Sequence, residues 1–242
     1  MQKYFINENI ELNKSFKIES SDQHHIEKVM RNKNGDQIIC VDLKHIQYLC
    51  LIENVQEGTI LPIEKLDINN ELDVEVTLVY ALPKGDKFEF VLQKACELGV
   101  HHIIPLSSKR CVVKLTNKKL PRYQKILKEA SEQSGRNRIP SIEEVKTIKE
   151  LKPYLKDYNL VAYEETAKQH EHGELFHTLQ QLKAGDQLLI IVGCEGGFDE
   201  SEIQELNEMG VKCCSLGNRI LRSETAPLYL MSVIGYSREL IK

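Results

Sequence analysis

The spacing of apolar positions changes character near residue 72. Before that point the apolar residues fall in short runs, KYFI, GDQIICVDL, IQYLCLIENV and GTILPIE, broken by turn signals such as Asn34-Gly35-Asp36. These runs read as β-strands, and their spacing predicts a small β-barrel or sandwich over residues 1–72. One short helix is expected among them, HHIEKVMR, with Ile26, Val29 and Met30 on one side.

From residue 73 to 242 longer apolar blocks alternate with helical periodicity. VEVTLVYAL (74–82) is too continuously apolar to be a half-exposed strand, and the turn Pro83-Lys84-Gly85-Asp86 follows it. DKFEFVLQKACELG sets Phe88, Leu92, Ala95 and Cys96 at helical spacing and stops at Gly99. VHHIIPL, the basic stretch SSKRCVVK, the helix PRYQKILKEASEQSG and the strands NLVAYE and QLLIIVG come next. FDESEIQELNEMG is a helix with Asp199 and Glu202 in capping-box relation, and VKCCSLG and an apolar helix close the chain. Strand and helix in alternation predict a parallel sheet covered on both faces, hence an α/β domain.

Composition adds little to this picture, while the distribution of charge changes it. The chain has 242 residues, 41% hydrophobic and 28% charged, enough for a proper core. No run reaches the ~20 apolar residues of a membrane span, and MQKYFINENIELNKSF lacks the apolar region of a secretory signal, so a cytoplasmic location is expected. Seven cysteines without C-x-x-C spacing read as reduced packing residues. His101-His102 and His170-Glu171-His172 are joined by no second ligand cluster, so no metal is expected. The net charge is −4, yet residues 109–138 hold ten basic side chains against two acidic ones. Such a stretch is either a solvated helix face or an electropositive surface that attracts polyanions.

Ligands in open α/β sheets lie beyond the carboxyl ends of strands, and two such ends are unusual here. QLLIIVG runs into Cys194-Glu195-Gly196-Gly197-Phe198, and VKCCSLG runs into Asn218-Arg219-Ile220-Leu221-Arg222. The paired glycines let a backbone approach a ligand closely; they also suit a plain turn. Thr225 is the expected cap of the last helix, which leaves Pro227 in the first turn, where its missing N–H costs nothing. Neither G-x-G-x-x-G nor G-x-x-x-x-G-K-[ST] occurs, so the usual nucleotide readings lack their fingerprints. The residues alone define an anion-friendly crevice and no reaction.

Taken together and in order, "HHIEKVMR…GD", "EQSGRNRIP", "VGCEGGFDESEI" and "LGNRILRSETAPLY" resemble the RsmE family, whose members methylate N3 of one uridine in 16S ribosomal RNA. The resemblance implies an N-terminal PUA-like β-barrel and a C-terminal SPOUT domain, a parallel sheet with a deep trefoil knot, which runs against the general rule for chain connections. It also implies S-adenosylmethionine as methyl donor, a homodimer, and 16S rRNA within the 30S subunit as partner. By family pattern Gly193, Glu195, Gly196, Gly197, Leu216, Gly217, Ile220 and Leu221 form the cofactor pocket. The chain departs from the family at Cys194, where proline is usual, and at Lys3, where arginine is usual.

Uracil N3 carries a proton, so methyl transfer to it needs that proton removed or the resulting anion stabilised. Arg219 or Arg222 is the candidate for stabilising the anion, with Arg136 and Arg138 as alternatives or phosphate holders. Glu224 and Glu132 are candidates to accept the proton or to orient an arginine. Lys109, Arg110, Lys114, Lys118, Lys119 and Arg122 read as phosphate contacts, with His25, Lys28 and Arg31 as candidates on the barrel. Competing readings are a SPOUT methyltransferase acting on tRNA or another rRNA site, a non-catalytic RNA-binding protein, and, more weakly, a phosphate-binding metabolic enzyme.

Overall fold

The computed structural model describes residues 1–113, 117–165 and 173–241. The chain divides into two compact units, Met1–Glu71 with Ser131–Arg138, and Leu72–Ala130 with Ile139–Lys242.

The first unit is built on a five-stranded sheet of β1 (Lys3–Phe5), β2 (Phe16–Lys17), β3 (Gln37–Val41), β4 (Gln47–Asn54) and β5 (Thr59–Leu66), in the order β1-β3-β4-β5-β2. β1 is parallel to β3 and the other pairings are antiparallel. Alternation sends Tyr48, Cys50 and Ile52 of β4 inward, where they meet Tyr4, Ile38, Cys40 and Ile60. Register shifts between Leu49 and Cys50 and between Ile52 and Asn54 bend the β4–β5 ladder and coil the sheet.

Helix α1 (Ser20–His24) passes into a π-turn over His25–Val29, marked by the Met30 N–H donating to the His25 carbonyl at 2.9 Å. This corrects the single amphipathic helix expected there. The wider i→i+5 turn moves residues off the shared stripe, so Ile26 is buried while Val29 and Met30 are exposed.

Ser131–Arg138 complete this unit through polar contacts. Glu71 forms a buried ion pair with Arg136, and its Oε1 also accepts from the backbone N–H groups of Asn137 (2.8 Å) and Arg138 (3.1 Å). The Asn137 amide donates to the His45 and Ile68 carbonyls and accepts from Gln47 and the Asn70 N–H. Lys3 is turned inward onto the Gly135 and Arg136 carbonyls, and burial pushes its ammonium down to about 8 against the pull of Glu71. Arg136, read as an RNA contact, is therefore corrected: at 2% exposure its guanidinium is enclosed and satisfied by Glu71.

The second unit carries a six-stranded parallel sheet: β6 (Glu75–Ala81), β7 (His102–Leu106), β8 (Ser141–Ile142), β9 (Tyr158–Ala162), β10 (Gln187–Val192) and β11 (Lys212–Cys214), ordered β11-β9-β10-β6-β7-β8. Its helices are α2 (Lys87–Glu97), α3 (Leu120–Ser134), whose last residues belong to the first unit, α4 (Glu174–Gln181), α5 (Glu200–Glu208) and α6 (Thr225–Gly235). The unbroken apolar runs follow from burial on both faces. Leu188, Ile190 and Val192 of β10 pack with Phe88, Leu92, Met231 and Ile234 of α2 and α6, while Leu189 and Ile191 pack with Ile203 and Leu206 of α5.

The Asp199–Glu202 capping box forms as expected, with Glu202 accepting from the Asp199 N–H at 2.9 Å. The Thr225 cap does not. Glu224 is the cap and is itself helical, because the Thr225 and Ala226 N–H groups already donate to the Arg222 carbonyl. Among the described residues no helix is long and apolar enough to cross a membrane.

Glu71→Ala should cost the first unit about 3–5 kcal/mol, because it strands a buried guanidinium and two backbone N–H groups. Urea denaturation of the full chain measures this, and a loss under about 1 kcal/mol would show the pair to be dispensable.

Candidate active site

The carboxyl ends of β9, β10 and β11 open into one cavity of about 1030 Å³. After β10, Gly193 lets the turn close tightly: a Cβ there would press on the Gly197 Cα and the Phe198 ring at 3.2 Å. Gly197 takes φ +65 and donates its N–H to the Cys194 carbonyl at 2.9 Å, closing the turn. After β11, Ser215 Oγ accepts from the Gly217 N–H at 3.1 Å and the chain runs on through Arg219 and Arg222.

Gly193, Glu195, Gly196, Gly197, Leu216, Gly217, Ile220 and Leu221 all line this cavity, as do Arg219 and Arg222. Glu224 lies just outside the lining, 3.0 Å from Lys87 Nζ. Glu132 and Arg138 belong to the first unit and are not among the lining residues. The walls include residues the sequence did not flag: Lys87, and Ala162, Tyr163, Glu164 and Glu165 at the end of β9. The rule of carboxyl strand ends applies to β6 and β9 as well and would have found them, had the strand order been known.

The basic stretch is bound up with this site. Arg110 lines the cavity, donates to the Gly196 carbonyl at 3.0 Å and lies 3.6 Å from Asp199. Lys109 donates its backbone N–H to Glu202 at 2.7 Å and its ammonium to Ser201 at 2.6 Å. Both, read as phosphate contacts, thus hold the glycine loop and the start of α5. Arg122 pairs with Glu89 at 2.7 Å. Lys118, Lys119, Lys28 and Arg31 are exposed. His25 Nδ1 is 3.0 Å from the Tyr4 hydroxyl at the edge of the first unit's core. Lys114 and the His170-Glu171-His172 run lie outside the described residues. Among the described residues no group of three or more His, Cys, Asp or Glu side chains is placed to hold a metal.

The ionisation states follow from the contacts. Backbone hydrogen bonding, with Lys87 and Ser223 adding to it, holds the Glu224 carboxyl below its ordinary range. Burial works against ionisation of Glu195, but its backbone hydrogen bonds and Lys87 outweigh it and keep this carboxyl low as well. Cys194, in the glycine loop, meets Cys111. The neighbouring thiols act on each other, Cys111 being lowered to about 6 and Cys194 raised, and the Ser108 hydroxyl, 3.1 Å from Cys111 Sγ, favours the Cys111 thiolate.

A family model described as an RNA methyltransferase domain matches residues 70–235, and one described as an RNA methyltransferase PUA domain matches residues 18–61. The chain is 42% identical over 253 residues to ribosomal RNA small subunit methyltransferase E of Bacillus subtilis, across 100% of this chain and 99% of that one. It is 35% identical to the protein of that name from Mesomycoplasma hyopneumoniae, across 96% and 98%. The crystal structure of ribosomal RNA small subunit methyltransferase E from Neisseria gonorrhoeae bound to S-adenosyl methionine superposes with a TM-score of 0.86 at 28% identity, across 97% of this chain and 96% of that one. The chain belongs to the ribosomal RNA small subunit methyltransferase E family, the RsmE family that its motifs resemble.

Alkylation of Cys111 by iodoacetamide should rise with pH and reach half its limiting rate near pH 6, because the thiolate is the nucleophile. Cys194→Ala removes the neighbouring thiol that lowers Cys111 and should move that midpoint upward. Mass spectrometry of the labelled peptide reads both.

Proposed function

We infer that the chain is an S-adenosylmethionine-dependent methyltransferase of small-subunit ribosomal RNA, and that its target is N3 of one uridine in 16S rRNA. The observation that carries this reading is the meeting of two loops, 193–198 and 216–222, on one cavity with Arg219 and Arg222 in its wall. The cavity fits the cofactor: its volume suits a ligand of that size, and Gly193 and Gly196 carry no Cβ to press on Gly197 or Arg110. Gly193, Gly196, Gly197, Leu216, Gly217, Ile220 and Leu221 would hold it. When bound, S-adenosylmethionine supplies an electrophilic methyl group.

The chain's own work is placement and charge. The two loops fix the direction of approach, which is worth the largest share of the rate. Arg219 and Arg222 bring positive charge to the uracil carbonyls and favour the ring that has lost its N3 proton. Glu224, held ionised and bound to Lys87, is a weak base and serves to orient. The PUA-type unit holds the flanking RNA, with Arg31 and Lys28 on its surface, and exposed Lys118 and Lys119 of the second unit hold phosphates. The target base is flipped into the cleft.

We further propose that the enzyme works in the cytoplasm on the assembled 30S subunit, as a homodimer, and that its parallel sheet carries the deep trefoil knot. Along α6 and just past it Thr225, Tyr229, Ser232 and Tyr236 are exposed at helical spacing, an aromatic-bearing face suited to a second copy.

Purified chain should methylate 30S subunits from cells lacking the gene, at a uridine located by mass mapping of 16S rRNA, and should leave bulk tRNA unmodified. Methylation of tRNA alone would favour the tRNA reading. Arg222→Ala should lower kcat on 30S subunits by about 10²-fold or more. In sedimentation, Tyr236→Glu should shift the particle from twice the 27.8 kDa chain mass towards that mass; a wild-type monomer would exclude the dimer.

A further inference from the structure

Lys87 is the first residue of α2, where a cation works against the partial positive charge of the helix N-terminus. The helix gains nothing from it there, so its contacts must account for it. Its ammonium is 3.0 Å from Glu195 Oε1 and 3.0 Å from Glu224 Oε2. The Lys84 N–H, in the turn just before α2, donates to the same Glu195 carboxylate at 3.2 Å. Gly85, at φ +68, makes that turn possible.

Glu195 belongs to the loop after β10, and Glu224 ends the loop after β11. These strands are not neighbours, since β9 separates them, and no ladder hydrogen bond ties their ends together. We propose that Lys87 is a positioning residue that ties the glycine loop to the arginine loop from a third strand end, that of β6, and so sets the width of the cleft. The inference rests on the reading that this cleft binds S-adenosylmethionine. Lys87 acts through the two carboxylates and leaves the methyl transfer itself to other groups.

The side chains are partly exposed, 35% for Lys87 against 34% and 18% for the two glutamates, so each pair is screened and worth a factor of about two to five. Lys87→Met, which loses both, should raise Kd and KM for S-adenosylmethionine about five- to tenfold. It should change kcat by less than about twofold, because saturating cofactor restores the spacing. Lys87→Arg should recover most of the affinity, and added salt should weaken cofactor binding to the wild type more than to Lys87→Met.

A double-mutant cycle separates this role from direct contact with the cofactor. If Lys87 works through Glu224, the losses in Lys87→Met and Glu224→Gln are not additive in the double variant. Calorimetric titration of the full-length chain with S-adenosylmethionine supplies each value, and thermal melting confirms that each variant is folded. Additive losses, or a Lys87→Met variant that binds as the wild type does, would overturn the positioning role and leave the cleft reading standing. A wild-type chain that takes up no S-adenosylmethionine would overturn both.

Discussion

Strand β9 stands between β10 and β11, and the cleft follows from that placement. In a parallel sheet the carboxyl ends point one way, so loops leaving β10 and β11 start on either side of the β9 end. The chain steps from β9 towards β6 to form β10, then back past β9 to form β11. The reversal leaves a crevice over β9 whose two rims come from separate loops, 193–198 and 216–222. The rims close on a single ligand only if their backbones can turn tightly and approach closely. Gly193 and Gly196 provide this, each standing where a Cβ would press on its neighbours. Lys87 and Arg110 then reach into the cavity from the strands on the far side of β10.

The periodicity showed that VEVTLVYAL and QLLIIVG are buried on both faces, because a strand with no solvent side has no polar alternation. It could not show strand order, since nothing in a parallel strand's composition names its neighbour. That is why the end of β9 was missed: Tyr163, Glu164 and Glu165 look like the polar exit of an ordinary strand until β10 and β11 are set on either side. The π-turn at His25–Val29 was hidden for a related reason. A five-residue repeat and a helical one use the same residue types, and Ile26, Val29 and Met30 separate only once the hydrogen bonds are known. Capping at Thr225 failed because Arg222 lends its carbonyl to the first turn, a backbone event with no side-chain signature.

Arginines posed the opposite difficulty: their presence was plain and their work was not. Arg136, Arg138, Arg110 and Arg222 all read alike as candidates for an anionic partner. Arg136 is spent on Glu71 in a buried pair of the first unit, and Arg110 is spent on Gly196 and Asp199. What assigns these two is the carboxylate and carbonyl partners they meet, which only three dimensions supply. The acidic residue nearest in sequence was no guide: Glu71 precedes Arg136 by sixty-five positions.

Cys194 brings these threads together. A proline at this place, which the family resemblance implies, would stiffen the turn into the glycines by fixing φ. Cysteine gives up that restraint, and the Cys194 side chain is instead buried in the core cluster against which Cys111 packs, in a segment whose next-door residue Arg110 clasps Gly196. The restraint on the loop comes from packing and an Arg110 hydrogen bond outside it, with no ring within it. Contacts of this kind bear on the loop only in the folded state, whereas a proline also narrows the unfolded ensemble. The loop therefore depends on the 107–113 segment for its hold. This gives that segment a place in the wall of the cleft.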